Sequence, residues 1–286
     1  MPKVSIIIPS YNYARFIKET LESVFSQTYK DFEVILVDDG STDNTLTITK
    51  RYLPKIRYIR HPVNLGFAPA MNTGIREAKG KYLNFLSADD KLLPTFLEKE
   101  VAVLEKYPKV GLVFSPVMFM DKKGDEIGKQ KIKNGYINKE DGYQGLLTGN
   151  FVNLVTALVR SDTVMKVGFF NSKLRQNPDW DMWIRIAKKS HIAYVPEYLA
   201  VYRQHDLNLT AEVKRNFKKI GKEKRIILQD TVKRQVPKKL SPWMFLLFLD
   251  SRINTERLPK FIADPIAFFC FMISVLTARL LRKIYG

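Results

Sequence analysis

The first hundred residues alternate short apolar runs with amphipathic stretches, and this alternation restricts the fold more than any other feature of the chain. The first run, 3–9 (KVSIIIP), is nearly continuous, which is typical of a strand covered on both faces. After the runs at 32–37, 56–60 and 81–86, apolar residues recur at helical spacing. The pattern predicts βα units and an α/β fold with a mainly parallel central sheet flanked by helices.

The later part of the predicted sheet is less regular. A fifth strand is predicted at 110–120, followed by a hairpin turn at 121–128. The remaining predicted elements are a strand at 154–160, a helix at 180–188, and strands at 192–195 and 198–204. Because these segments leave the βα alternation, we expect a mixed sheet.

Positive charge is concentrated towards the end of the chain. The net charge is +18, and residues 211–260 contain 14 Lys or Arg against 5 Asp or Glu. We therefore predict a folded domain at 1–210 and a basic, partly amphipathic helical region at 211–286. Nucleic acid, an anionic membrane and an anionic small substrate are the partners that such a charge suits, and we expect the last two, with no nucleic acid.

An apolar run at 265–278 leaves two interpretations open. Its 14 residues are fewer than the roughly 20 that a helix needs to span a bilayer. It is either a helix that packs on the core or a membrane-surface anchor with Arg279, Arg282 and Lys283 beside it.

The sequence also indicates a compartment. Cys270 is the only cysteine, so no internal disulfide can form, and the first apolar run is too short for a signal peptide. We expect a cytoplasmic protein that is peripheral on the inner face of the cell membrane.

Polar residues follow the predicted strands at 9–12, 38–39 and 87–90, where ligands gather in open α/β sheets. No GxGxxG motif follows the first strand and no GxxxxGK[ST] motif is present, which counts against a dinucleotide site and a P-loop. Two carboxylate pairs at neighbouring strand ends indicate Mg²⁺ or Mn²⁺, because these ions commonly join one or two carboxylates to substrate phosphates. A nucleoside diphosphate bound with a metal fits this pattern.

Several motifs in order carry a family resemblance. They are 4–45 (VSIIIPSYNYARFIKETLESVFSQTYKDFEVILVDDGSTDNT), 64–90 (NLGFAPAMNTGIREAKGKYLNFLSADD), 179–187 (DWDMWIRIA) and 202–205 (YRQH). Over roughly 3–209 the chain resembles the family 2 glycosyltransferases, an inverting family with the GT-A fold. The resemblance implies transfer of a sugar from a nucleotide diphosphate, most simply a UDP-sugar, to a hydroxyl acceptor. The basic, apolar C-terminal region suggests a saccharide or lipid-linked acceptor in surface polysaccharide or lipid-linked glycan assembly.

The resemblance implies a donor site at the strand ends. Its nucleotide-binding residues would be Pro9, Tyr11, Asn12, Asp39, Asn64, Asn72 and Asp89. Tyr11 would contact the nucleoside with its ring, and Asp39 would accept a hydrogen bond from the base, which suits uracil or thymine. The alternatives are that Asp38 and Asp39 form the turn before Gly40, and that the two later asparagines are loop or cap residues.

The same resemblance implies a metal and diphosphate site. Asp89 and Asp90 match the family's Asp-x-Asp motif, although Ser87 stands where its first carboxylate is usual. Asp89, Asp90 and His205 would hold Mn²⁺ or Mg²⁺, while Asp90, Arg203 and His205 would contact the sugar or the diphosphate. The alternative for Asp90 is favourable electrostatics at the following helix N-terminus.

The resemblance identifies Asp179 as the catalytic base. Trp183 and Arg185 place it in the family's Glu-Asp motif, although Pro178 replaces the usual Glu. The alternative is that Asp179 only caps a helix. The competing classes are a nucleotidyltransferase, which should have a glycine-rich basic loop after its first strand, and a catalytically inactive nucleotide-sugar-binding module.

Overall fold

The structure, a computed structural model, describes residues 1–131, 139–175 and 177–206, together with 208 and 227. Within these residues the strands are β1 (Val4–Ser10), β2 (Phe32–Asp38), β3 (Arg57–Arg60), β4 (Tyr82–Phe85), β5 (Lys91–Leu92), β6 (Val110–Phe114), β7 (Val117–Met120), β8 (Glu126–Lys129), β9 (Leu158–Arg160), β10 (His191–Tyr194) and β11 (Ala200–Arg203). The helices are α1 (Ile17–Phe25), α2 (Thr45–Thr49), α3 (Phe67–Glu77), α4 (Phe96–Lys106), α5 (Lys139–Thr148), α6 (Ser161–Val167) and α7 (Pro178–Ala187), with 3₁₀ turns at Lys50–Lys55 and Leu154–Thr156.

The larger sheet confirms the predicted α/β fold. Within the described residues its strand order is β10-β6-β9-β4-β1-β2-β3. β1 is parallel to β2 and β4, and β10 is parallel to β6, whereas β9 is antiparallel to both of its neighbours. The sheet is therefore mixed and mainly parallel, as the sequence predicts.

The continuous apolar run at the start of the chain becomes the centre of this sheet. All seven residues of β1 are buried, as expected of a strand with elements packed on both faces. Helix α3 passes so close to β1 that a Cβ atom at Gly74 would lie 2.2 Å from Cγ2 of Ile7. A glycine at this position is what permits the close packing of helix on sheet.

The predicted strand at 110–120 is wrong as a single element. The chain leaves the larger sheet after β6 and enters a second sheet as β7, with the order β5-β11-β7-β8 among the described strands. Ser115 and Pro116 separate the two strands, and proline lacks the N–H group that would continue the ladder of hydrogen bonds. The segment at 154–160 is likewise divided, because its first residues form a 3₁₀ turn before β9 begins.

The parallel register brings the carboxyl ends of the central strands to one edge. Ser10 pairs with Asp38, so β1 and β2 end together, and β4 ends at the same edge with Phe85 opposite Ile7. The loops that follow these strands contain the predicted donor residues. This edge is where ligands are expected in open α/β folds.

The predicted C-terminal region at 211–286 lies outside the described residues, apart from residue 227. Its helices and its boundary with the first domain stay predictions. Of the helices that the structure does describe, none has both the length and the apolar character needed to cross a bilayer.

Candidate active site

A wide cleft lies at the carboxyl ends of the central strands and beside the second sheet. It is lined by nine of the predicted site residues: Pro9, Tyr11, Asn12, Asn64, Asp39, Asp89, Asp90, Asp179 and His205. Residues far apart in the sequence, on the strand ends, on the loop after β11 and on α7, therefore meet in one place. Asn72 and Arg203 do not line the cleft.

At one end of the cleft, a dense set of hydrogen bonds fixes the Asp39 carboxylate. Oδ1 accepts from Nδ1 of His61 at 2.7 Å and from the backbone N–H of Leu65 at 3.0 Å. Oδ2 accepts from the backbone N–H of Gly66 at 2.7 Å. On its other side the His61 ring meets the Thr73 hydroxyl, 3.0 Å from Nε2. Asp39, only 3% exposed, is held in one orientation.

The preceding residue, Asp38, has a structural role that fits the turn-forming alternative. It is fully buried, and it accepts hydrogen bonds from the backbone N–H of Ser41 and from the side chains of Tyr58 and Arg60. Burial alone would raise the pKa of Asp38, but these hydrogen bonds and the Arg60 charge outweigh it and hold the pKa below its usual range. Asp38 fixes the turn, and Asp39 faces the cleft.

Asn12 and Tyr11 shape the wall beside Asp39. Asn12 has a left-handed backbone (φ 59°), and its Oδ1 accepts from the backbone N–H groups of Thr42 at 2.8 Å and Asp43 at 3.3 Å. Asparagine tolerates this conformation better than most residues. Asn12 therefore joins the loops after β1 and β2, while the neighbouring Tyr11, 40% exposed, presents its ring at the cleft.

The two later asparagines of the predicted donor set have different environments. Asn64 lines the cleft on an exposed loop. Asn72 is buried, and both ends of its amide bond the backbone of Phe170, at 2.9 Å from Nδ2 to the carbonyl and 2.9 Å from the N–H to Oδ1. The predicted donor contact of Asn72 is therefore not seen, because its hydrogen bonds anchor the loop after α6.

Asp89 and Asp90 form the centre of the cleft. Oδ2 of Asp89 lies 2.8 Å from Nε2 of His205 and accepts from Nδ2 of Asn208 at 3.1 Å. Oδ1 of Asp90 accepts from the backbone N–H of Arg203 at 2.8 Å. Burial and the adjacent charge of Asp89 raise the pKa of Asp90 well above its usual range. Two buried neighbouring carboxylates favour a bound cation.

Arg203 is placed differently from the prediction of a direct diphosphate contact. Its side chain is 1% exposed and lies over the Phe16 ring. Nε donates to the carbonyl of Asp89 at 3.0 Å, Nη1 to the carbonyl of Asp121 at 3.3 Å, and Nη2 to the carboxylate of Glu19 at 2.8 Å. These hydrogen bonds direct the guanidinium away from the cleft and towards the back of the turn that carries the two aspartates.

Asp179 lines the same cleft from the first turn of α7. This helix packs against β6, which β9, β4 and β1 separate from the strand β2 that precedes Asp39. The helix begins at Pro178 and its N-cap position is Asn177, so Asp179 is not the N-cap residue. Its Oδ2 accepts from Nδ2 of Asn150 at 2.8 Å. Burial raises the pKa of Asp179 to about 6, against hydrogen bonds from the Trp180 backbone and from Asn150. The carboxylate is a stronger base than an exposed aspartate.

Sequence reasoning missed three residues that support the site. Asn208 and His61 each bond a cleft carboxylate, and Asn150 bonds Asp179. His61 directly follows β3, at a strand end where a search for polar residues could have found it. Asn150 lies between α5 and the 3₁₀ turn in a segment with no periodic pattern, so the sequence contains no comparable signal for it.

Asp89, Asp90 and His205 are the side chains of the cleft that could bind a metal ion. In the part of the chain that the structure describes, no three or more His, Cys, Asp or Glu side chains are grouped to hold a metal ion by themselves. Carboxylate and imidazole groups are nevertheless suitable ligands for Mn²⁺, and Mg²⁺ commonly takes one or two carboxylates with the rest of its shell from water and phosphate. Asp89, Asp90 and His205 fit such a shared site.

The mixed sheet and the carboxylates at its strand ends define a protein of the GT-A class. The model of the family described as glycosyl transferase family 2 matches residues 5–167, more than half of the chain. The protein belongs to this family. A nucleotidyltransferase, the first of the competing classes, is not supported.

Several curated relatives are named as glycosyltransferases. An uncharacterized glycosyltransferase of Rickettsia typhi is 34% identical over 211 residues, which are 73% of this chain and 66% of the relative. One of Rickettsia prowazekii is 35% identical over the same shares, and one of Methanocaldococcus jannaschii is 32% identical over 71% of each chain. The chain spans slightly less than two thirds of the length of the two Rickettsia proteins.

Solved structures show the same fold. S. aureus TarS 1–349 in complex with UDP-GlcNAc aligns with a TM-score of 0.66 at 18% identity, over 92% of this chain and 76% of TarS. The mannosyltransferase PcManGT of Pyrobaculum calidifontis, in complex with GDP-Man and Mn²⁺, aligns with a TM-score of 0.62 at 20% identity, over 97% of this chain and 80% of that chain. At these identities the likeness concerns the fold.

Proposed function

We propose that the protein transfers a sugar from a UDP-sugar to a hydroxyl acceptor, with inversion at the anomeric carbon. One observation carries the proposal: a single cleft is lined by Asp39 after β2, by Asp89 and Asp90 after β4, and by Asp179 in α7, which packs against β6. The strand order β6-β9-β4-β1-β2 places these three positions one after another along the edge of the sheet. These positions suit a nucleoside, a diphosphate and an acceptor hydroxyl in that order. Membership in the family supports the sugar transfer itself.

The hydrogen bonds of Asp39 support uracil as the base. An ionised carboxylate has about four acceptor positions, and His61, Leu65 and Gly66 occupy three of them, two on Oδ1 and one on Oδ2. Among the residues that the structure describes, no further donor is seen, so one position remains on Oδ2. The Watson–Crick edge of uracil has one ring N–H between two carbonyl groups, whereas guanine has a ring N–H and an amino group side by side. A single acceptor suits uracil, and Tyr11 can stack on its ring.

Asp179 suits the role of general base. With a pKa of about 6 it is ionised at neutral pH and still retains affinity for a proton. It takes the proton of the acceptor hydroxyl as the oxygen attacks the anomeric carbon. The bond between that carbon and the diphosphate oxygen breaks, and the diphosphate leaves with the electron pair. Attack opposite the leaving group inverts the configuration.

Asp89, Asp90 and His205 are the residues that would hold Mn²⁺ or Mg²⁺. They are too few to complete a coordination shell, so oxygens of the donor diphosphate and water would supply the rest. When bound, the cation stabilises the negative charge of the leaving diphosphate. Arg203 fixes the turn that carries the two carboxylates, because its backbone N–H donates to Asp90 and its Nε donates to the carbonyl of Asp89.

The proposed acceptor is a saccharide or lipid-linked saccharide at the cytoplasmic face of the membrane. The support is in the sequence, where the basic residues of 211–260 precede an apolar run. Such a combination suits an anionic lipid surface. Pelleting of the full chain with phosphatidylglycerol vesicles, but not with phosphatidylcholine vesicles, is the expected result, and equal binding to both contradicts it.

The test of the proposed function measures release of the nucleoside diphosphate. The wild-type protein is incubated with UDP-glucose, UDP-N-acetylglucosamine and GDP-mannose, with Mn²⁺, Mg²⁺ or EDTA. We expect release from a UDP-sugar that is lost in EDTA and in Asp89→Ala. Asp162→Asn is the control, because Asp162 is an exposed carboxylate paired with Lys166 on α6.

Four outcomes would contradict parts of the proposal. Nucleotide binding without turnover of any donor would support the inactive binding module. Turnover of GDP-mannose alone would overturn the argument from Asp39, and full activity in EDTA would overturn the cation. With an α-linked donor, an α-linked product detected by NMR would exclude inversion.

A further inference from the structure

The loop between α5 and the 3₁₀ turn at Leu154–Thr156 bonds the proposed base. Nδ2 of Asn150 donates to Oδ2 of Asp179 at 2.8 Å, and Oδ1 of Asn150 accepts from the backbone N–H of Val152 at 3.3 Å. The two hydrogen bonds fix which end of the amide faces the carboxylate. Both side chains line the cleft.

The second sheet holds this loop in place. Nε2 of Gln130 donates to the carbonyl of Phe151 at 3.1 Å, and its Oε1 accepts from the backbone N–H of Val117 at 3.2 Å. The backbone N–H of Gln130 also donates to the Val117 carbonyl at 2.9 Å. The residue after Asn150 is therefore tied through Gln130 to Val117, the first residue of β7. The second sheet thus holds the Asn150 amide in place.

The hydrogen bond has two effects on the carboxylate. It restricts rotation of the Asp179 side chain, because one oxygen is committed to Asn150. A donor to the ionised form also opposes the effect of burial, which by itself favours the protonated acid. The N-terminal position in α7 acts in the same direction.

Other charges lie on neighbouring elements. The described charged residues on the elements that pack against α7, and in the loop before it, are Lys139 and Asp141 on α5, Asp162 and Lys166 on α6, Asp181 and Arg185 on α7 itself, and Lys173 and Arg175 in the loop. Asp181 is paired with Arg185, and Asp162 with Lys166. Among the described side chains, Asn150 donates to Asp179 at hydrogen-bond distance.

We propose that Asn150 is a positioning residue for Asp179, holding Oδ2 so that Oδ1 receives the proton of the acceptor hydroxyl. The inference rests on the proposed function, in which Asp179 is the base. The loop that carries Asn150 has no periodic pattern in the sequence, and it contributes to the reaction by orienting Asp179.

The test is the pH profile of turnover in Asn150→Ala. Loss of the donor raises the pKa of Asp179, so the acid limb of kcat should move up by about one pH unit, a factor of about ten in turnover below the midpoint. The KM for the donor should stay within about twofold. Asn150→Gln, which keeps an amide donor, should recover part of the shift, whereas Asn150→Asp should move the limb further.

Asn171→Ala is the matched control. Oδ1 of Asn171 also accepts from the backbone N–H two residues ahead, that of Lys173, at 3.0 Å, and Asn171 does not line the cleft. Its acid limb should coincide with that of the wild type. Thermal unfolding of each variant separates a shift of the midpoint from loss of folded protein.

A second readout separates this inference from the proposed function. NMR titration of the Asp179 side-chain carboxyl, labelled with ¹³C, reports its midpoint whether or not the protein turns over a donor. A higher midpoint in Asn150→Ala supports the positioning role. An unchanged midpoint, or an unchanged acid limb in an enzyme that Asp179→Asn inactivates, overturns it while the proposed function stands.

Discussion

Two carboxylates of the cleft, Asp39 and Asp179, have different surroundings. Asp39, at the nucleoside end, accepts two backbone N–H groups and His61, which leaves it one acceptor position. Asp179, on α7, accepts from the side chain of Asn150 and from the Trp180 backbone, and burial raises its pKa to about 6. A carboxylate fixed by donors from the loop around it suits recognition, whereas a carboxylate with a raised pKa suits proton transfer. The same functional group thus receives two roles from its surroundings.

The largest expected effect is at the base. Asp179→Asn should lower turnover by about 10³-fold, because general base catalysis typically contributes 10²–10⁴-fold, while UDP binding stays within a few-fold of the wild type. UDP affinity by calorimetry and kcat by diphosphate release are the measurements. Retention of more than a tenth of the activity would remove Asp179 from the chemistry and end the contrast between the two carboxylates.

The same variant has a stability signature whose sign follows from the raised pKa. Folding favours the protonated form of Asp179, whose pKa is about 6 in the protein against 3.8 for the ordinary side chain. Its contribution to the free energy of unfolding is therefore present below pH 3.8 and lost as the pH rises through 6. Asp179→Asn should unfold at a higher temperature than the wild type at pH 8, with a smaller difference at pH 4. A variant less stable at pH 8 would indicate a structural role.

A substitution of Arg203 tests whether this residue supports the turn of Asp89 and Asp90 or contacts the donor diphosphate directly. Removing the buried guanidinium in Arg203→Ala should reduce the free energy of unfolding by about 3 kcal/mol, because a cavity and unpaired carbonyl groups remain. Urea unfolding measures this loss. If stability is unchanged and UDP-sugar affinity falls more than tenfold, the sequence-based prediction of a phosphate contact is right and the structural placement is wrong.

The smallest of these effects is expected at the nucleoside end. Asp39→Asn should weaken UDP binding by about 2 kcal/mol, roughly thirtyfold, since a hydrogen bond to a charged group typically contributes 1.5–3 kcal/mol. His61→Ala, which removes one of three donors, should cost about tenfold or less. Calorimetry with UDP and GDP gives both values. Equal losses for the two nucleotides would show that Asp39 does not choose the base.

Much of the donor end could be predicted because its signals are local. Each strand of the first half is a short apolar run, and its carboxyl end carries the polar residue that binds or turns. Parallel pairing then brings Tyr11, Asp39 and Asp89 to one edge without any further information. The family motifs follow one another along the chain in the expected order. The motif that contains Trp183 and Arg185 predicts the role of Asp179.

The sequence by itself determined the alternation of strands and helices, the mixed sheet and the carboxylates of the cleft, because hydrophobic periodicity and strand ends are local properties. The tertiary structure alone decided that the chain changes sheets at Pro116, that Arg203 is buried against Glu19, and that Asn72 anchors a loop. It also brought Asn150 to Asp179. These contacts join residues from 29 to 184 positions apart, or depend on which way one side chain turns. Only tertiary packing determines these contacts, because the hydrogen-bond partners lie on elements whose relative position cannot be predicted from local hydrophobic periodicity.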